Sequence, residues 1–316
     1  MQNKLDKPAE GLGITAVERD TGLSKDILRV WERRYGFPLP ARDHNGDRLY
    51  PPEQVDKLRL IRRLLDLGRR PSSVVTLDAG TLAAMLDSAA TALAPEGDPD
   101  SATHDRLIEL LRLQRSAELR IALHQLLLKH GLQRFVCDTV APLNIRVGQA
   151  WMRGDIDVAE EHLYTEQVQN VLRSAIGAQA ATDGRPRILL TTLPDELHAL
   201  GLLMAEATLV PEGAVCVSLG TQTPITDICN AASSGDFDIV ALSCSAAFPA
   251  RSAIDGLNTL RAALPAAIEL WAGGQAVQGK AARLPGVRVI ADLPDALVAL
   301  AEWRSAQRAA ISRPRA

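Results

Sequence analysis

Aromatic residues, paired cysteines and long apolar runs are scarce in this chain, and each scarcity excludes a class of protein. Aromatics make up 3% of the 316 residues while hydrophobic residues make up 47%, an Ala- and Leu-rich mixture typical of helical globular proteins. The four cysteines (Cys137, Cys216, Cys229 and Cys244) have no CxxC spacing, which argues against a disulfide framework and against a cysteine zinc site. No run of eighteen apolar residues and no apolar signal core occur, so we expect two or three cytoplasmic domains and no membrane partner.

Charge is distributed unevenly along the chain. Residues 18–70 carry 13 Lys and Arg against 9 Asp and Glu, whereas the whole chain has a net charge of −3. A basic segment on an otherwise acidic chain is typical of a surface that binds a polyanion such as DNA. An ordinary solvated helical surface, however, can have a similar number of charged residues.

The same segment has the pattern of a helix-turn-helix. In "GITAVERDTGLSKDILRVWERRYG" two amphipathic stretches flank a turn at Gly22, and Ser24 is placed to cap the second helix. That helix carries Lys25, Arg29, Arg33 and Arg34, which suits entry into a major groove. A proline-stiffened segment, a wing turn at Asn45-Gly46 and a helix from Pro51 to about Gly68 are predicted to follow.

The stretch "LRVWERRYGFPLPARDHNGDRLYPPEQVDKLRLI" closely resembles the winged helix-turn-helix of MerR-type transcription regulators. The resemblance implies a dimer on a pseudo-palindromic operator and a DNA-binding domain over residues 10–78. It also implies DNA contacts, chiefly to the backbone, by Arg33, Arg34, Tyr35, Arg48 and Tyr50. Trp31 is instead expected in the core.

Beyond residue 78 the chain departs from a MerR-type metal sensor, which would have a long coiled-coil helix and a cysteine-bearing loop. An Ala-rich helix and a linker are predicted over residues 79–104. Residues 105–182 are helical throughout and predict a bundle of four or five helices. Gly131 and Gly154 divide these helices, and Asp155 and Asp157 are placed as caps.

Residues 183–310 alternate between buried apolar strands and helices, which predicts a doubly wound α/β domain with a parallel sheet. Ligands of such sheets bind at the carboxyl ends of the strands. Small or polar residues are predicted there after four strands: His198, Ser218, Gly220, Ser243, Ser245, Gly273 and Gly274. The GxGxxG of a dinucleotide site is absent after the first strand, and the small residues suggest a bulky, flat ligand.

Three of these elements in register resemble the DxHxxG, SxL and GG signature of cobalamin-binding domains. They are Glu196-x-His198-x-x-Gly201, Ser243-Cys244-Ser245 and Gly273-Gly274, with Glu replacing the usual Asp and Ser replacing the usual Leu. The resemblance implies that His198 ligates cobalt from below, and Glu196 can hydrogen-bond the imidazole and orient it. Taken alone, a histidine beside a glycine is more often an ordinary loop residue.

The bundle carries a second motif. The spacing of Trp151, Val158, Glu161 and His162 resembles the motif that covers the upper face of adenosylcobalamin in the CarH, CarA and LitR family of photoreceptor regulators. Some of those light sensors have a histidine directly after the tryptophan, whereas this chain has Met152. A thioether is a poor substitute for imidazole on cobalt(III). His130 and His162 are the two candidates for the role of that missing histidine.

We therefore expect a transcription regulator, acting as a repressor, that senses light through adenosylcobalamin and changes its oligomeric state (dimer or tetramer). Three alternatives stay open: a cobalamin sensor without a light response, a regulator whose C-terminal domain binds another ligand or only mediates oligomerisation, and a cobalamin carrier module of an enzyme. The last is disfavoured because a DNA-binding domain, and no catalytic barrel, accompanies the module.

Overall fold

The computed structural model describes residues 11–43, 46–92, 100–179 and 183–311 and divides the chain into two compact units, with the boundary after residue 93. This arrangement confirms the predicted multidomain architecture of a winged helix-turn-helix, a helical bundle and a parallel sheet. Asn45 of the predicted wing turn, and part of the predicted linker, lie outside the described residues. None of the helices in the described ranges is long and apolar enough to cross a membrane.

The first unit combines short helices with a small antiparallel sheet. The helices are α1 (Ile14–Thr21), α2 (Lys25–Tyr35), α3 (Pro52–Asp66), α4 (Pro71–Val74) and α5 (Ala79–Ala92). The strands are β1 (Leu12–Gly13), β2 (Ala41–Arg42) and β3 (Arg48–Tyr50), in the order β1-β3-β2. α5 packs against α3 and lies within this unit.

Local signals explain the turn between α1 and α2. Gly22 ends α1 with φ +68°, in the left-handed region that glycine adopts at little cost. Ser24 begins α2, where its hydroxyl accepts a hydrogen bond from the backbone N–H of Ile27 at 3.3 Å. Leu28 and Trp31 bury the inner face of α2, so Trp31 is a core residue.

The second unit begins with the helical bundle. Its elements are α6 (Ser101–Arg112), α7 (Ser116–His130), α8 (Leu132–Arg134), the π-helical Phe135–Val140, α9 (Ala141–Arg153) and α10 (Val158–Gln179). Gly131 and Gly154 have positive φ and separate the helices, as predicted. Asp157 caps α10 by accepting from Ala159 N at 2.9 Å, so the predicted helix start is confirmed.

A five-stranded parallel sheet follows, with strand order β5-β4-β6-β7-β8. The strands are β4 (Arg187–Thr191), β5 (Val215–Gly220), β6 (Ile239–Ser243), β7 (Glu269–Gly273) and β8 (Val287–Ile290). The connecting helices are α11 (Leu200–Leu209), α12 (Ile225–Ser234) and α13 (Ala250–Ala263), and α14 (Leu293–Ile311) follows β8. The strand order reverses between β4 and β6, which is where open α/β sheets form a ligand crevice.

The bundle and the sheet share one apolar core. Leu203 and Ala207 of α11 pack with Val168 and Leu172 of α10 in the same buried cluster. α11, the first helix after β4, therefore packs directly against the bundle. Because cores are close-packed, a displacement of the bundle would displace α11 as well.

One prediction about the strand ends was wrong. Ser218 and Gly220 lie within β5, because this strand continues to pair with β4 as far as Gly220 opposite Thr191. Glu196 and His198 lie in the loop between β4 and α11, which begins at Leu200.

Candidate functional site

The loop between β4 and α11 is shaped by its own hydrogen bonds. The Thr192 hydroxyl donates to the Glu196 carbonyl at 2.7 Å and accepts from Gln222 N at 2.8 Å. Asp195 adopts φ +67°, which is uncommon for a residue with a side chain. The backbone therefore turns sharply before Glu196 and directs the Glu196 side chain into the protein.

Glu196 is 1% exposed, and its carboxylate accepts three hydrogen bonds. Oε1 accepts from the His198 backbone N–H at 3.0 Å and contacts His198 Nδ1 at 2.7 Å, while Oε2 accepts from Ser245 N at 2.7 Å. Burial by itself raises the pKa of Glu196, but these hydrogen bonds outweigh it and hold the pKa below the usual 4.5. The group is thus an ionised, acceptor-only carboxylate at neutral pH.

Two neighbouring groups hold the His198 ring at Nδ1, while much of the side chain remains exposed to solvent. Its side chain is 57% exposed, and Nδ1 lies 3.0 Å from the Ser245 hydroxyl in addition to its contact with Glu196. Because an ionised carboxylate can only accept, Nδ1 carries the proton in this pair and Nε2 is the nitrogen with a lone pair suited to a metal. This carboxylate–imidazole pair is the arrangement that orients histidine ligands in metal sites.

Two glycines beside this pair allow backbone and side chains to approach closely. A Cβ on Gly201 would lie 2.2 Å from the Ser243 hydroxyl, and a Cβ on Gly274 would lie 2.2 Å from the Cys244 carbonyl oxygen. Gly274 also has φ +99°, so a side chain is disfavoured there for two reasons.

A cavity of about 220 Å³ opens between the ends of β4, β6 and β7 and the start of α14. Four of the predicted residues line it: Gly201, Ser243, Gly273 and Gly274. Leu190, Ala241 and Trp271 form part of its apolar wall. The carboxylate–imidazole pair and a cavity lined by glycines and apolar side chains are chemically compatible with a cobalt corrinoid, although His198 and Glu196 do not themselves line this cavity. Ser218 and Gly220 do not line this cavity; the Ser218 hydroxyl accepts from Gly220 N at 3.2 Å within β5.

The predicted cap residues lie on α9 and α10. Trp151 is half-buried against the core of the bundle, whereas Met152 beside it is buried. Val158 is exposed at the start of α10. One turn further, His162 Nδ1 lies 2.7 Å from the Glu161 carboxylate.

A polar link between bundle and sheet was not predicted. Tyr164 Oη donates to Asn144 Oδ1 at 2.5 Å, and Asn144 Nδ2 donates to Met204 Sδ at 3.4 Å. Burial raises the pKa of Tyr164 well above its ordinary value, so the hydroxyl keeps its proton. The link joins α10, α9 and α11, and no local pattern in the sequence identifies it.

The predicted DNA-contacting arginines lie largely on one exposed surface of α2. Arg29, Arg33 and Arg34 are exposed. Arg29 pairs with Asp26 at 3.3 Å, and Arg34 lies over the Tyr35 ring at 5.3 Å. These contacts leave the guanidinium groups on the surface, where a phosphate can reach them.

The remaining predicted contacts are more constrained. Lys25 pairs with Glu18 at 3.4 Å, and Arg48 pairs with Glu32 at 2.9 Å. Tyr50 is fully buried, so in this structure it is a core residue at the base of the wing rather than an exposed DNA contact. Burial accordingly raises the pKa of Tyr50.

Comparisons with known protein families match both the winged helix-turn-helix and the helical bundle. The family described as MerR HTH family regulatory protein matches residues 12–79, and the family described as B12 binding domain matches residues 103–175. The second match covers most of the helical bundle and ends within α10.

Two relatives extend the similarity along the chain. The HTH-type transcriptional repressor CarH of Myxococcus xanthus is 30% identical over 81% of this chain and 86% of that protein. The repressor CarA of the same organism is 27% identical over 73% of this chain and 76% of that protein. The solved structure of the Methanosarcina barkeri monomethylamine corrinoid protein covers 64% of this chain and 99% of that chain with a TM-score of 0.52, and at 15% identity it indicates a shared fold.

Proposed function

Since the chain belongs to the CarH/CarA-like family of MerR-type transcription regulators, we propose that it is a repressor whose hold on operator DNA is controlled by light through adenosylcobalamin bound at His198. The protein is a regulator and not an enzyme. The observation that carries the proposal is the His198 imidazole held by the buried Glu196 carboxylate beside a glycine-lined cavity.

Each group of residues has a separate task. His198 Nε2 would ligate the cobalt of the cofactor, and Glu196 would keep the imidazole ring oriented and basic. Gly201 and Gly274 allow the cradle to close around the nucleotide tail. Trp151, together with Val158, Glu161 and His162, would contact the adenosyl group of the bound cofactor. Bound adenosylcobalamin supplies a cobalt–carbon bond that light can cleave.

We propose that the helical bundle couples cleavage of the cobalt–carbon bond to a change of oligomeric state. Trp151 packs against the same apolar core that holds α11, so displacement of its indole alters the packing between bundle and sheet. The dark arrangement supports a homo-oligomer, which we propose is a tetramer. Several winged helices on one operator add affinity by multivalency without new base contacts, and loss of the oligomer removes that gain.

The test compares oligomer size and operator affinity of the purified protein loaded with adenosylcobalamin in darkness, before and after green light. Protein loaded with hydroxocobalamin, which has no adenosyl group, is the matched control. The proposal expects a larger assembly and tighter DNA binding only in the dark adenosylcobalamin sample. Unchanged size and affinity after illumination would remove the light-dependent part of the proposal.

A second candidate, a cobalamin sensor without a light response, is favoured by one observation. Met152 follows Trp151 where some light sensors have histidine, and its side chain is only 2% exposed. A buried thioether would be a poorer ligand for cobalt(III) than an imidazole. This candidate expects operator affinity to depend on cobalamin but not on illumination. If no colour is retained, the C-terminal domain binds another ligand or serves assembly alone.

A further inference from the structure

The exposed face of α2 holds two apolar side chains that the arginine pattern does not explain. Ile27 is 40% exposed and Val30 is 43% exposed, while Leu28 and Trp31 bury the opposite face. Isolated exposed apolar residues are common on protein surfaces, so exposure alone indicates nothing. Their position relative to the cations on the same helix is the informative feature.

Helical geometry places Val30 at the middle of this face. With about 100° between successive residues, Arg29 and Arg33 lie to one side of Val30, and Arg34 and Ile27 lie to the other. All of them are exposed. Cations flanking an apolar centre match the cross-section of a major groove, where phosphates line both rims and the base edges form the floor.

The position of Ile27 and Val30 near the N-terminus of α2 also favours their contact with base edges. Ser24 caps α2 through the Ile27 backbone N–H, so Ile27 lies in the first turn and Val30 follows within one further turn. In helix-turn-helix proteins the N-terminal residues of the second helix contact the base edges. Asp26, also on this face, is paired with Arg29, which offsets its repulsion from DNA.

We infer that Ile27 and Val30 read thymine in the operator by apolar contact with its C5-methyl group. This methyl is the one apolar feature that a base pair presents in the major groove, and it is absent from the other bases. The inference rests on the proposed function, since it requires α2 to enter operator DNA, and it adds a sequence preference that arginine contacts to phosphates cannot supply.

The experiment replaces individual thymines by deoxyuridine, which removes only the methyl group. An operator is first selected from random duplexes with the full-length protein, and each thymine of a half-site is then substituted in turn. We expect one or two positions at which wild-type affinity falls about fourfold, the factor that corresponds to one buried methyl group. Neighbouring thymines should tolerate the change.

Variants assign the effect to residues. Val30→Ala and Ile27→Ala should each weaken binding to the thymine operator, and each should abolish the penalty at one of the sensitive positions, as in a double-mutant cycle. Val298→Ala is the matched control, because Val298 is 51% exposed on α14 in the other unit. It should leave every deoxyuridine penalty unchanged.

Three outcomes overturn the inference. The first is that deoxyuridine is tolerated at every position, and the second is that its penalty persists in both variants, so that other groups contact the methyl. Alternatively, the variants lower self-association without altering the penalty, which would assign this apolar face to a second copy of the chain. Failure of the wild-type protein to select any operator would instead contradict the proposed function itself.

Discussion

Replacing Glu196 by Gln tests whether a buried carboxylate holds the candidate cobalt ligand. The amide oxygen can replace Oε1 and keep both bonds to His198, but its NH₂ group then faces the Ser245 N–H, so two donors oppose each other. Losing one hydrogen bond to a charged acceptor, and leaving a donor unmatched, should lower the free energy of unfolding by about 3 kcal/mol.

The dependence on pH follows from the direction of the shift. The folded-state pKa of Glu196 lies below 4.5, so its contribution is present above the unfolded pKa and is lost as pH falls through the folded value. The stabilisation that ionised Glu196 contributes relative to Gln should therefore shrink as pH falls below about 4.5.

Urea unfolding followed by tryptophan fluorescence measures this difference, because Trp151, Trp271 and Trp303 all lie in the second unit. Glu302→Gln is the matched control: Glu302 is an exposed partner of Arg288, and surface pairs of this kind contribute about 0–1 kcal/mol. Equal stability of wild type and Glu196→Gln at pH 7, or a difference that persists unchanged at pH 3, would refute the reasoning.

Three further variants test other parts of the account. Gly274→Ala places a Cβ 2.2 Å from the Cys244 carbonyl oxygen at a residue with φ +99°, so it should lower the free energy of unfolding of the second unit by more than about 2 kcal/mol. Gly273→Ala is the control, because the nearest atoms to its Cβ lie at 3.7 Å, and it should not have this effect. Equal urea midpoints for the two variants would contradict this prediction. Arg34→Ala should weaken binding to all DNA sequences and reduce the slope of log affinity against log salt by about 1, and a change confined to one base pair would argue for base readout instead. Trp151→Ala should keep the colour of bound adenosylcobalamin but reduce the dark oligomer in size-exclusion chromatography; an unaltered elution volume would separate Trp151 from assembly.

Sequence reasoning succeeded where the determining signals are local. The turn after Gly22 and the cap at Ser24 are set by single residues, and the parallel sheet follows from continuous apolar runs. The pairing of Glu196 with His198 is also local, since the two residues are two positions apart.

Features that depend on distant contacts could not be predicted. Tyr50 is buried because a three-residue strand takes its orientation from the domain core. The second support of Glu196 comes from Ser245, 49 residues away. The link from Tyr164 through Asn144 to Met204 likewise depends on how three helices pack.

The most direct test of the central claim is the visible absorption spectrum of the protein with adenosylcobalamin in darkness, measured for wild type and His198→Ala after removal of unbound cofactor. The account predicts that wild type retains the colour with a spectrum typical of imidazole ligation, and that His198→Ala binds weakly or with an altered spectrum. Identical spectra and affinities in the two proteins would show that His198 is not the cobalt ligand.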